Sequence, residues 1–151
     1  MHFDIEIREQ AGREPTLYGV ILQEGRAATG GRRELFAPGA IEWPSEGIGV
    51  LTVHRGSIET RGHVVRERDG RLTLTARATD GIRRAVNEGK RWMSVEFTAL
   101  EDRITKGGVR EILRAFVPTA ALVSAPEYDM TAAEVRNQGD EDLARFWALG
   151  V

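Results

Sequence analysis

The sequence predicts a mainly β fold, a closed and mostly antiparallel barrel of about seven strands with one inserted helix and a helical C-terminal tail. Three features lead there. Short apolar stretches alternate with period two, turn residues separate them, and helical spacing enters only near residue 80 and again beyond Tyr128. With about seven short strands, closure is favoured over an open sheet because it removes unpaired edges.

Phe3 to Arg8 sets Phe3, Ile5 and Ile7 against Asp4, Glu6 and Arg8, the pattern of a strand with one wet face. Gly12 to Pro15 connects it to a more apolar strand, Thr16 to Gln23, and Glu24 to Gly31 reads as a loop. Glu34 to Trp43 starts extended and meets Pro38-Gly39, where a turn or short helix should follow. Gly49 to His54 is a strand with Leu51 and Val53 on one face and His54 on the other. Arg61 to Arg68 and Arg71 to Arg77 flank Asp69-Gly70, a two-residue hairpin signal. Thr79-Asp80 caps a helix from about Gly81 to Glu88, with Ile82, Ala85 and Val86 on one side and Gly89 as its stop. That helix leads into the strand Lys90 to Leu100. Lys106-Gly107-Gly108 turns the chain back into a strand from Val109 to Val117, and Ala120 to Val123 is a further short apolar piece. Thr131 to Arg136 and Asp140 to Leu149 favour helix, the latter with Leu143, Phe146 and Trp147 on a common face. The organisation expected is a β domain over 1–128 and a helical tail over 129–151.

Composition narrows the function. The chain has 151 residues, a net charge of -2 and no cysteine. Such a balance gives no reason to expect nucleic acid, and the absence of thiols removes disulfides, thiolate metal sites and a cysteine nucleophile. Only His2, His54 and His63 could supply imidazole, and none has ligand spacing, so neither a metal nor another cofactor is expected. No apolar run is long enough for a membrane span and the first residues hold no signal-peptide core, so the expectation is a soluble, intracellular protein.

Chemistry is carried by two side chains. In Lys90 to Leu100 (KRWMSVEFTAL), Met93, Val95 and Phe97 take one parity and Ser94, Glu96 and Thr98 the other, so Ser94 turns away from the apolar face. A serine hydroxyl becomes a useful nucleophile when an imidazole accepts its proton. If the Gly49 to His54 strand were its neighbour, His54 could do so. A lone strand serine is ordinarily a surface hydroxyl and a lone histidine a structural one, and more than this pair is needed to raise them above that.

An ordered series of blocks supplies more. RRELFAPGAI (32–41), VLTVH (50–54), Arg61-Gly62-His63, NEGKRWMSVEF (87–97) and VREILRAFVPTAALVSAPEY (109–128) together resemble the prohead, or capsid maturation, serine proteases of tailed phages, relatives of the herpesvirus assemblins. The resemblance covers about Tyr18 to Ala133. It implies an assemblin-like β-barrel surrounded by helices, with Ser94 as nucleophile and His54 as general base. It implies protein substrates, the scaffold and the amino-terminal extension of the capsid protein, cut inside the assembling prohead in the host cytoplasm, and self-cleavage besides. Homo-oligomers, with a dimer favoured, are also what it implies.

The chain departs from that family at several positions. Arg55 stands where an aspartate often follows the histidine, Glu96 where a glycine often lies two residues after the serine, and, within the closing segment, Thr119 where an acid commonly precedes a serine-leucine-valine run by two positions, with Ala121 in place of that serine. The third catalytic group therefore has three candidates: Glu96 on Ser94's parity, Glu111, and His63 as an assemblin-style second histidine. These departures leave two alternatives open. One is a catalytically impaired homologue acting as a structural or scaffolding component of the capsid; the other is a small β-barrel binding module.

Overall fold

Alternation becomes strand wherever a partner is in reach. The computed structural model describes residues 5–9, 14–25 and 34–124, and its elements run β1 (Ile5–Arg8), β2 (Thr16–Gln23), β3 (Glu34–Phe36), β4 (Ile41–Glu42), β5 (Ile48–Leu51), β6 (Thr60–Arg66), β7 (Arg71–Arg77), α1 (Asp80–Asn87), β8 (Trp92–Ile104) and β9 (Arg110–Val123). The fold is mainly β, as expected, with a curled half-barrel sheet and, among the described residues, one helix. The expected tail over 129–151 lies outside the described residues, as do His2, Arg32 and Arg33.

The strand path is β1-β2-β7-β6-β5-β9, and β9 is its hub. Along one edge β9 pairs antiparallel with β8; along the other it pairs parallel with β3, β4 and β5 in succession. One expectation is thereby corrected: nine strands stand among the described residues where about seven were expected. The pairing is mostly antiparallel, as expected, with the three parallel ladders all on β9. The added strands, β3 and β4, are only three and two residues long, and both come from the Glu34 to Trp43 stretch. Among the described residues no ladder forms between the sheet's ends; a hydrogen bond from the Ile5 N–H to the Arg91 carbonyl, 3.0 Å, joins them.

Pro118 explains why two expected pieces are one strand. A proline cannot donate to a ladder and belongs at bulges or where no partner waits. Here it falls between the parallel pairings Glu42↔Phe116 and Gly49↔Thr119, and at a shift in the β8 register where Glu96↔Thr119 gives way to Thr98↔Phe116. One extra residue in β9 flips its parity. Val117 therefore faces the core although Thr119, two residues on, faces away from it.

The hairpin between β6 and β7 also differs from its signal. The Gly70 N–H bonds the Glu67 carbonyl and the Glu67 N–H the Arg71 carbonyl, so Arg68-Asp69 form the corner and Gly70, at φ 91°, is the left-handed bulge residue that follows. A side chain at Gly70 would strike the Glu24 carbonyl. Pro38-Gly39 turns the chain as expected, into β4 rather than a helix.

Thr79 caps α1 by accepting the Ile82 N–H at 3.2 Å, and the helix closes with the Lys90 N–H on the Ala85 carbonyl and the Gly89 N–H on the Val86 carbonyl. Ile82, Ala85 and Val86 join the core with Ile48, Val50, Val95, Phe97, Ala120 and Leu122. That core takes one face of β5, β9 and β8. The other face carries the site.

Candidate functional site

On that other face, two rows cross three strands. Ser94 on β8, Ala121 on β9 and Leu51 on β5 lie in register, and so do Glu96, Thr119 and Gly49. The strands bearing Ser94 and leading to His54 are thus not neighbours, as the sequence suggested; β9 runs between them. At two strand spacings the gap is roughly 10 Å. Small residues on β9 leave it open to be bridged.

His54 does the bridging from a turn, not from a strand. β5 ends at Leu51, beyond which Thr52 gives its carbonyl to Lys90 Nζ at 2.7 Å. The Gly56 N–H then bonds the Val53 carbonyl, and Arg55 takes φ 61°, the one positive φ among the described non-glycine residues. Val53, expected to share a buried face with Leu51, is exposed. The chain returns over the sheet so that Ile58 sits on Gly49, where a β-carbon would come within 2.8 Å of its Cδ1.

His54 Nδ1 meets Glu96 Oε2 at 2.7 Å. A carboxylate can only accept, so Nδ1 carries the proton and the lone pair of a neutral ring is on Nε2. Glu96 Oε2 also accepts the Arg55 N–H at 3.0 Å, and Oε1 accepts the Thr119 hydroxyl at 2.6 Å. Burial by itself would raise the Glu96 carboxyl; the bonds from Thr119, His54 and the Arg55 N–H, with the attraction of His54, outweigh it and hold the group below the usual carboxylate value.

Two atoms remain without partners. Ser94 Oγ and His54 Nε2 are both buried and neither has a hydrogen-bond partner among the described residues. Ser94 is only 2% exposed although it points away from the core. An unpaired buried polar group costs about 1–3 kcal/mol. Here the two atoms belong to the serine and the histidine that the sequence offered as nucleophile and base, and Ser94 precedes by two residues, about 7 Å along the strand, the Glu96 whose carboxylate holds His54.

Of the three candidates for the orienting group, the structure brings Glu96 to His54. Glu111 is at the far end of β9, where it pairs with Arg103 at 2.7 Å. His63 lies on β6 opposite Thr75, lining a groove with Arg61 and Arg77. Thr119 stands directly across the ladder from Glu96. The carboxylate is supplied by β8, and Thr119 on β9 supports it. Parity pointed to Glu96; Thr119 was marked only as the position where the family often has an acid, and the bulge at Pro118 hides from sequence spacing that it faces Glu96.

Among the described residues no group of three His, Asp or Glu side chains could hold a metal ion, and no helix is long and apolar enough to cross a membrane. Comparison with protein-family models, curated proteins and solved structures finds no match for the chain in any of the three.

Proposed function

We propose that the protein is a serine endopeptidase of the prohead type, with Ser94 as nucleophile, His54 as general base and Glu96 as the group that orients it. The single observation that carries this reading is the pairing of His54 Nδ1 with Glu96, which leaves Nε2 bare and basic on the strand face from which the unpartnered Ser94 Oγ also projects. Nε2 takes the Ser94 proton as Oγ attacks a peptide carbonyl. The imidazolium then gives that proton to the leaving amine, and an acyl ester on Ser94 remains. Water repeats the cycle, losing its proton to Nε2 and releasing the acid. Glu96 stays ionised throughout and stabilises the imidazolium. The curled sheet accords with an assemblin-like barrel. On that resemblance the substrates are scaffold and capsid-protein extensions inside the assembling prohead, in the host cytoplasm, with self-cleavage and a dimeric enzyme.

A fluorophosphonate probe followed by peptide mapping tests the reading. The native protein should be labelled at Ser94 and should cut a coexpressed scaffold; Ser94→Ala should do neither and, having lost an unpaired hydroxyl, should be as stable as the native chain or more so. Glu96→Gln presents an amide to Nδ1 and favours the wrong tautomer, so turnover should drop by about 10³–10⁴. Labelling elsewhere than Ser94, or none, sinks the proposal.

One observation favours a second reading, that of an impaired homologue with a structural or scaffolding role in the capsid. No hydrogen bond joins Ser94 Oγ to His54 Nε2, and both atoms are closed to solvent. Under this reading Ser94→Ala changes nothing in the coexpression assay. Catalytic hydrogen bonds are often long before substrate binds, which is why the first reading is preferred.

A further inference from the structure

Thr119 makes the shortest contact to the carboxylate that holds His54, its hydroxyl lying 2.6 Å from Glu96 Oε1. That oxygen needs a donor. Oε2 is already engaged by His54 Nδ1 and the Arg55 N–H, and without Thr119 a half-buried Oε1 would be left unpaired on a terminal bond that rotates readily. A β-carbon on Gly49 would lie 3.3 Å from the Thr119 Cγ2 and 2.8 Å from Ile58 Cδ1, so a side chain at position 49 would crowd the threonine. A β-branched side chain is restricted at χ1, which limits the directions its hydroxyl can take.

We propose that Thr119 is a positioning residue: acting through Glu96, its hydroxyl sets the orientation in which the carboxylate grips His54 Nδ1, and thereby aims Nε2 toward Ser94. This rests on the peptidase reading for its consequence, though not for the contact itself.

Two substitutions separate the hydroxyl from the bulk of the side chain. Thr119→Val keeps shape and branching but loses the donor; Thr119→Ser keeps the donor. Fluorophosphonate capture by Ser94 should slow about tenfold in Thr119→Val. Thr119→Ser should stay within about threefold of native. A second readout does not depend on catalysis: the His54 Nδ1–H proton resonance, expected to be sharp in the native protein and Thr119→Ser and broadened by solvent exchange in Thr119→Val. Equal labelling rates for native and Thr119→Val overturn the proposal, as does a Thr119→Ser protein as slow as Thr119→Val. If the native protein takes no label, the peptidase reading fails, and the imidazole resonance decides on Thr119 alone: unchanged in Thr119→Val, it overturns the proposal.

Discussion

Arg55 occupies a backbone conformation that an L-residue avoids, since at φ 61° its β-carbon crowds the following carbonyl at a cost of about 1–2 kcal/mol. The conformation has a use. It turns the Arg55 N–H onto the same Glu96 oxygen that receives His54 Nδ1, so backbone and imidazole are fixed by one carboxylate. The guanidinium is exposed and takes no part. Arg55→Gly should therefore keep the N–H and relieve the crowding, raising stability by about 0.5–1 kcal/mol after the added freedom of the unfolded chain is counted. Thermal unfolding should show a midpoint up by about 1–4 °C with Ser94 labelling unchanged. A lower midpoint would mean that the arginine side chain stabilises the turn after all. Position 55 also shows a limit of sequence reading. The letters VLTVH promise a strand through His54, because nothing in them reveals that β9 supplies a partner only as far as Leu51, opposite Ala121.

Strand identity was legible element by element where a stretch alternated or ran apolar between turn residues: Arg71–Arg77 and Thr16–Gln23 fall where those signals put them, and the Thr79 cap marks α1. Which strands would be neighbours was not, since parallel pairing depends on contacts distant in sequence. The placement of β9 between β5 and β8 decided how His54 reaches its carboxylate, and only the fold supplies it. At this scale the end of α1 matters to the site. The Schellman closure puts Lys90 one residue past Gly89, from where Nζ reaches the Thr52 carbonyl at 2.7 Å and ties the helix to the His54 turn. Lys90→Met keeps the aliphatic stem and removes the donor. The expected cost is about 1 kcal/mol, small because the site is partly solvated. Amide exchange should report it more sharply: protection at Arg55, Gly56 and Glu59 should fall while that of Ile82 to Val86 holds. Uniform protection across both segments would show that the turn does not depend on the helix.

For the whole molecule the decisive charge is buried far from Ser94. Glu24, 2% exposed, accepts the N–H groups of Gly39 and Ile41 and a two-pronged contact from Arg66, whose Nη2 also reaches the Ile41 carbonyl at 2.7 Å. Arg66 in turn lies over the Trp43 ring. This one node ties the end of β2 to β6 and to the turn before β4, and so joins strands that β9 does not reach to the β3–β4 stretch that pairs with it. Burial pushes the Glu24 carboxyl up, but Arg66 and the two backbone donors win and keep it below its ordinary 4.5. A folded value below the unfolded one means that the stabilisation is complete above pH 4.5 and is lost as pH falls through the lower folded value. Glu96 shifts in the same direction, so acid weakens fold and site together. Glu24→Gln leaves Arg66 without its counter-charge, and because that guanidinium is partly exposed the loss at neutral pH should be about 2–3 kcal/mol rather than the larger cost of a sealed pair. Urea unfolding of native protein and variant from pH 7 down to pH 3 checks both halves of the argument, since the gap between the two curves should close as the native Glu24 takes up its proton. A gap that stays constant to pH 3 would show that the carboxylate's charge is not what holds the node.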